Sequence, residues 1–317
     1  PPAPRPAPRR PAAMSTGKFA PGQIVFVPDD DALCLACRVV KCNGYPPNMV
    51  IQVHDLATGR EFAPAPAAAA EIGEADPLAL EGAPDLVKLT QLSEPAILHT
   101  LRTRYARDEI YTSVGGILIS LNPFKDVSRN DVRVLTDARA ADAGSWESLP
   151  PHVFVLSEQA YRSALRDRRP QAILISGESG AGKTEATKLW LRHLAQRAAP
   201  PAGGQGGGPA GIERALLSCN PVLEAYGNAA TARNHNSSRF GKWIQVGLDA
   251  ATGAARYARL TCFLLERSRV TTHAEGERAF HAFYQALAAV GQDAKLAGHL
   301  GLQRAPEQYA YLRAGPD

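Results

Sequence analysis

The chain has 317 residues, of which 45% are hydrophobic and 21% charged, with a formal net charge of +4. That length and composition can bury a sizeable core; so small a charge gives no footprint for nucleic acid, and no apolar run approaches the ~20 residues of a membrane span. Five cysteines, an odd number, do not read as a disulfide framework and fit a reducing cytosol.

Residues 1–14, "PPAPRPAPRRPAAM", are proline-rich and basic; they predict a disordered tail and lack the apolar segment of a secretory signal. Residues 15–65 carry short β-rich runs, "QIVFV", "CLACRVV" and "NMVIQVHD", separated by turn clusters. That spacing predicts a small barrel or meander. Asp29, Asp30 and Asp31 read as a solvated turn. Cys34 and Cys37 form a C-x-x-C with Cys42 and His54 nearby, but residues three apart on a strand face opposite sides, which argues against zinc. The Ala/Pro-rich stretch over 66–84 predicts a linker.

A helix is expected over 94–105, with Leu98, Leu101 and Tyr105 near helical spacing and "SEPAIL" as its start signal. "SVGGILISLNPF" reads as one buried strand ending at an Asn-Pro turn, and "SEQAYRSALRDR" as an amphipathic helix. "QAILIS" reads as a short apolar strand over Ala172 to Ser176, and "TEATKLWLRHLAQR" as a helix.

Between them lies "GESGAGKT", residues 177–184, which fits G-x-x-x-x-G-K-[ST]. The strand, loop, helix order is the context the chemistry needs. Gly177, Gly180 and Gly182 permit a tight curl that turns successive N–H groups inward, and the helix N-terminus adds partial positive charge. Lys183 can reach β- and γ-phosphates, and the Thr184 hydroxyl can ligate Mg²⁺. A second stretch, "RNHNSSRFGKWIQV" at 233–246, offers paired hydroxyls beside Asn and Arg. A loop closing over a γ-phosphate needs such groups; without the preceding motif the stretch would read as a polar surface loop.

Together these stretches resemble the N-terminal part of a myosin motor head. "GESGAGKTE" is similar to the family's P-loop, and "NHNSSRFGK", Asn234 to Lys242, to its switch I; kinesins share the paired serines but continue differently after the Arg. "NPVLEAYGNA", "DLVKLTQLSEPAILHTLRTRYARDEIYTSVGGILISLNPFK" and "LLERSRV…ERAFHAFYQ" follow in the family's order. The resemblance runs over about residues 17–317 and is densest over 84–285. It implies an α/β fold: a P-loop NTPase core of the myosin/kinesin type over 85–317, preceded by an SH3-like β-barrel.

The resemblance also implies roles. Gly177, Glu178, Ser179, Gly180, Ala181, Gly182, Lys183 and Thr184 would hold the phosphates of ATP. Thr184 and Ser238 would ligate Mg²⁺. Ser237 would sit by the γ-phosphate and help relay a proton, and Asn234 would contact phosphate oxygens. Arg239 would pair with a switch II Glu. Asn122 and Pro123 would border the adenine, and residues 199–211 would form a surface loop. The sequence departs from the family pattern at Ala186, usually Asn, at Asn130, usually an adenine-stacking Tyr, and at His235, read as a solvated loop residue.

The family's switch II pattern, D-x-x-G-F-E, does not occur in these residues. The core is therefore expected to be incomplete and the isolated chain inactive as an ATPase, without the switch II Glu that would latch Arg239. The complete head is expected to be a cytoplasmic, cytoskeleton-associated motor on actin filaments, with no nucleic-acid partner and no membrane span. The alternatives are a non-catalytic nucleotide-binding or scaffold fragment and an unrelated P-loop kinase. Phe280, Phe283, Tyr284 and Leu287 read as a core stripe, and Glu266, Arg267 and Arg269 as ion-paired residues packed on a strand.

Overall fold

A computed structural model describes residues 17–127, 131–141, 146–197, 218–302 and 305–312. The chain divides into two units between Ile119 and Ser120. In the first, β1 (Ile24–Asp29) and β2 (Leu33–Asn43) are antiparallel and joined by an Asx turn, in which Asp29 Oδ1 accepts from the N–H groups of Asp31 and Ala32. This is the solvated turn read from the sequence. β3 (Val50–Asp55), β4 (Glu61–Phe62) and β5 (Gly73–Glu74) complete a sheet of order β4-β3-β2-β1-β5.

Period-two alternation sorts β1 between two cores. Val25 and Val27 join Phe19, Cys37, Val39, Cys42 and Val53 on one face. Phe26 points to the other, toward Ala79, Ala83, Leu86 and Ala96. Cys37 and Cys42 are thus apolar packing residues. Burial, with Asp55 and Asp29 nearby, pushes the Cys37 thiol up to about 12, so in this packing it stays protonated at neutral pH.

The stretch 66–84, expected as a linker, is folded. It forms α1 (Pro66–Ala70), strand β5 and α2 (Pro77–Glu81), and it buries Ala69, Ile72, Ala79 and Ala83. The prolines that suggested a linker stand in the first turns of these helices, where a missing N–H costs nothing.

Helix α3 spans Glu94–Tyr105, as the sequence implied, with Ser93 Oγ accepting from Ala96 N. Its buried face differs from the expected one: Ala96, Thr100 and Arg104 are covered, whereas Tyr105 is exposed. Arg104 tolerates burial because carbonyls surround its guanidinium. It donates to the Tyr111 and Gly82 carbonyls and to Thr112 Oγ1, and pairs with Glu109 at 3.1 Å.

The single strand expected across "SVGGILIS" is a two-stranded ladder, β6 (Tyr111–Val114) with β7 (Ile117–Ser120). Gly115, at φ 58°, turns the chain between them.

In the second unit, α4 (Asp131–Ala140), α5 (Val153–Asp167) and α6 (Lys183–Arg197) pack together. α7 (Asn220–Gly227) leads into β8 (Asn228–Thr231), which pairs with β9 (Asn234–Ser238). β10 (Gly241–Leu248) and β11 (Ala255–Phe263) form a long hairpin, and α8 (His281–Gln292) and α9 (Ala294–Leu300) follow. Aromatic rings fill the space above the glycines of this hairpin. A Cβ on Gly247 would meet the Tyr257 ring at 2.2 Å, and one on Gly241 the Phe263 ring at 2.6 Å.

Tyr161 and Leu194 join α5 and α6 to Val246, Leu248 and Ala255 of the hairpin, and the Tyr161 hydroxyl donates to Gly253 O at 3.0 Å. On α8 the expected stripe is half realised: Phe280 and Leu287 are buried, but Phe283 is 38% exposed.

The run Ala172 to Ser176 forms no strand. An apolar run becomes a strand only when neighbours accept its N–H and C=O groups, and among the described residues none pairs with it. Leu174 stands 91% exposed.

Candidate functional site

Residues 177–182 form an irregular loop that enters α6 at Lys183. Three glycines set its curl: Gly177 at φ 154°, Gly180 at φ 84° and Gly182 at φ 93°. Side chains rarely adopt such angles, and at Gly177 a Cβ would also press on the Ala181 Cβ at 3.1 Å. Lys183 folds back across the loop, its Nζ donating to Gly177 O and Glu178 O at 2.8 Å each. The loop therefore carries a cation over a ring of backbone at a helix N-terminus, an arrangement suited to anionic oxygens.

Other sequence-expected residues converge on this loop. Asn122 Nδ2 donates to Gly180 O at 2.6 Å, while Asn122 Oδ1 caps Phe124 N, just past Pro123. Asn122 thus braces the loop from a second segment. Ser179 Oγ donates to Ser237 Oγ at 2.9 Å, joining the loop to β9. The Asn234 amide lies beside Gly180, whose Cβ would stand 3.9 Å from Asn234 Nδ2. Asn234 Oδ1 accepts from Asn236 N at 2.9 Å. Glu178 faces solvent and pairs with Arg233 at 3.0 Å.

Thr184, in the first turn of α6, and Ser238, closing β9, are exposed. Their hydroxyl oxygens are hard, neutral donors of the kind Mg²⁺ takes, so the donor set fits that ion. The stretch 233–246, expected as a loop, is instead strand β9 followed by β10. His235 is exposed on β9, in keeping with its reading as a solvated residue. Asn130 and the 199–211 segment lie outside the described residues.

The switch II Glu expected as the partner of Arg239 does not occur in these residues; here Arg239 Nε donates to a different carboxylate, Glu266 Oε2, at 2.5 Å. The backbones pair as well, Glu266 N donating to Arg239 O at 3.0 Å and Arg239 N to Gly227 O at 2.8 Å. The other end of the guanidinium, Nη1, donates to Ser237 Oγ at 3.2 Å. Glu266 opens a 3-10 turn, Arg267–Val270. It is shared with buried Arg269, which also pairs with Glu277 at 2.8 Å. Burial pushes the Glu266 carboxyl up, but the Arg239 and Arg269 hydrogen bonds outweigh it and hold it below its ordinary value. The sequence marked Glu266 as ion-paired; only its partner was hidden, 27 residues away.

Sequence reasoning missed a second cluster, which fixes the helix carrying Lys183. Glu158 of α5 is fully buried and accepts from His193 Nε2 at 3.0 Å, Arg162 Nε at 2.7 Å and Arg197 Nε at 3.0 Å. Ser157 Oγ lies 2.6 Å from His193 Nδ1. A carboxylate only accepts, so His193 Nε2 carries a proton here. Burial pushes the Glu158 carboxyl up, and the hydrogen bonds from His193, Arg162 and Arg197 outweigh it, holding it down at about 2. Spacing gave no signal: Glu158 and His193 are 35 residues apart and meet only because α5 packs on α6.

A glycine-curled loop entering a helix, with a lysine folded over it and a hydroxyl-bearing strand hydrogen-bonded to it, has the loop and helix of the P-loop class, without the strand expected before it. The comparisons with known proteins narrow that class. Residues 83–316 match the family described as myosin head (motor domain). The chain is 44% identical over 239 residues to Myosin-3 of Arabidopsis thaliana, covering 75% of this chain and 19% of that protein. It is 45% identical over 232 residues to Unconventional myosin-Ia of Bos taurus, covering 73% and 21% respectively. To Myosin-14 of Homo sapiens it is 41% identical over 247 residues, covering 78% and 12%. The chain belongs to the myosin head family. It spans about a fifth or less of the length of these relatives.

Proposed function

We propose that this chain is the Mg-ATP-binding part of an actin-based motor, working in the cytoplasm in association with the cytoskeleton. The observation that carries the reading is the join between loop and strand: Ser179 on the phosphate loop is hydrogen-bonded to Ser237, whose oxygen also accepts from Arg239. The curled loop, its cation and a buried hydroxyl are thereby gathered at one place, as phosphoryl chemistry by positioning and electrostatics requires.

Lys183 would release the Gly177 and Glu178 carbonyls and donate instead to β- and γ-phosphate oxygens. The loop N–H groups and the N-terminus of α6 would add partial positive charge. Asn234 would donate to phosphate oxygens, and Asn122 with Pro123 would border the base. Ser237 would face the γ-phosphate and hand on a proton from the attacking water. Thr184 and Ser238 would hold Mg²⁺, which supplies positive charge to the phosphate oxygens when bound.

The test is a titration of the 317-residue chain with a fluorescent ATP analogue in Mg²⁺, beside Lys183→Ala. Loss of saturable binding in the variant supports the site; equal affinity in the two proteins overturns it. Nucleotide-sensitive cosedimentation with actin filaments, read on a complete head carrying this segment, tests the motor reading.

A further inference from the structure

We propose that Glu266 is a positioning residue for the nucleotide site, setting the Ser237 hydroxyl through Arg239; this rests on the ATP-binding reading given above. The chain of contacts is continuous. Glu266 Oε2 takes Arg239 Nε at 2.5 Å, Arg239 Nη1 reaches Ser237 Oγ at 3.2 Å, and Ser237 Oγ meets Ser179 Oγ at 2.9 Å.

The direction of the effect follows from hydrogen-bond capacity. A guanidinium only donates, so the Ser237 oxygen must accept from Arg239. Ser179 donates to the same oxygen. Both Ser237 lone pairs are then engaged, and its single proton is left to point away from both donors, available to an acceptor such as a γ-phosphate oxygen. Ser237 is 1% exposed, so water does not compete for that oxygen. Without Glu266, Arg239 loses the acceptor that fixes its fork, and Ser237 regains a free lone pair and a free rotor.

Glu266 is suited to act as a fixed post. Its second partner, Arg269, is 4% exposed and is held in turn by Glu277 at 2.8 Å and by the Arg278 carbonyl at 3.0 Å. Arg269 Nε reaches Glu266 Oε2 at 2.7 Å and its Nη2 reaches Oε1 at 3.3 Å, so both carboxylate oxygens are held by a second arginine. Arg239 and Glu266 are exposed alike, at 29% and 31%, but Arg239 is held by one carboxylate whereas Glu266 also carries the buried Arg269. Of the pair, the carboxylate is therefore the better-held member, and it supplies the acceptor that orients the Arg239 guanidinium.

The experiment is a double-mutant cycle on the full chain: wild type, Glu266→Ala, Arg239→Ala and both together. Fluorescent ATP and ADP analogues serve as probes, with Lys183→Ala as reference. Glu266→Ala is expected to weaken ATP binding about tenfold, the effect of one misdirected charge-assisted contact, and ADP binding less than about twofold. The double variant is expected to match Arg239→Ala, since the two residues act in series. A merely structural Glu266 would weaken both nucleotides alike, and its effect would add to that of Arg239→Ala; either result overturns the proposal.

Glu266→Gln, which keeps the side-chain shape, is read in parallel so that misfolding of the alanine variant does not decide the matter. Its ATP-to-ADP ratio should fall in the same direction, and an unchanged ratio overturns the proposal. Should Lys183→Ala bind ATP as well as wild type, the nucleotide-site reading itself fails. Should it lose binding while Glu266 variants keep the ratio, only the role of Glu266 fails.

Discussion

Replacing Glu158 with glutamine keeps the shape of the side chain and removes the charge on which three donors converge. In the folded protein its carboxyl stands at about 2, against an ordinary 4.5. A gap of that size corresponds to roughly 3 kcal/mol at neutral pH. Arg162 and Arg197 are partly open to solvent, at 31% and 37%, so part of this is screened. Arg162 also keeps the Ala141 and Arg139 carbonyls as acceptors. His193, fully buried, has no such recourse.

We therefore expect Glu158→Gln to cost about 2–3 kcal/mol, and Glu158→Ala about 3–5, because a buried pair broken on one side leaves its partner unsatisfied. The sign with pH is fixed: a carboxyl depressed in the folded state stabilises above its unfolded value and loses that contribution as pH falls from about 4.5 toward about 2. The difference between wild type and Glu158→Gln should be full at pH 7 and shrink across that window. Urea denaturation followed by far-ultraviolet circular dichroism, at intervals from pH 7 to pH 3, measures it. A difference below about 0.5 kcal/mol at pH 7, or one constant across the window, would refute the argument.

Gly182→Ala should weaken ATP-analogue binding about tenfold without a packing clash, since a Cβ there meets nothing within 4 Å and only the φ of 93° resists it. Ser238→Ala should weaken the Mg²⁺ dependence of nucleotide binding, whereas Ser237→Ala should leave it largely intact and slow the chemical step in a complete head; identical Mg²⁺ titrations for wild type and Ser238→Ala would remove Ser238 from the site. Arg104→Ala should lower the unfolding free energy of the first unit by about 2–4 kcal/mol, because it strips donors from the Tyr111 and Gly82 carbonyls; calorimetry on the full chain reads this.

Where an element depends on its own neighbours in sequence, the sequence disclosed it. Helix α3 carried its bounds in Ser93, Glu94 and Pro95, and the phosphate loop carried its curl in three glycines. Where an element depends on distant partners, the reading faltered. "QAILIS" has the composition of a strand, but composition supplies no partner for its amides. Alanine and proline over 66–84 suggested a linker because small side chains reveal little about whether they are covered. Arg104 was not placed in a core, since only the fold brings the Tyr111, Thr112 and Gly82 acceptors around it. The candidate site followed the same division: the loop and the serine joined to it, Ser237, could be picked out from the sequence, while the Glu266–Arg239 pair needed the chain to close on itself.

The bare run from Ala172 to Ser176 bears on how the chain can be handled. Leu174 projects into solvent beside Ile173 and Ile175, and no described strand claims the backbone of this run. An uncharged stretch with two β-branched residues, its backbone unpaired by any described strand, is a template on which identical copies can stack. In concentrated solution this run is where cross-β association between copies would be expected to start. A lysine at position 174 would place a charge on each added copy and halt that growth while leaving the buried packing untouched.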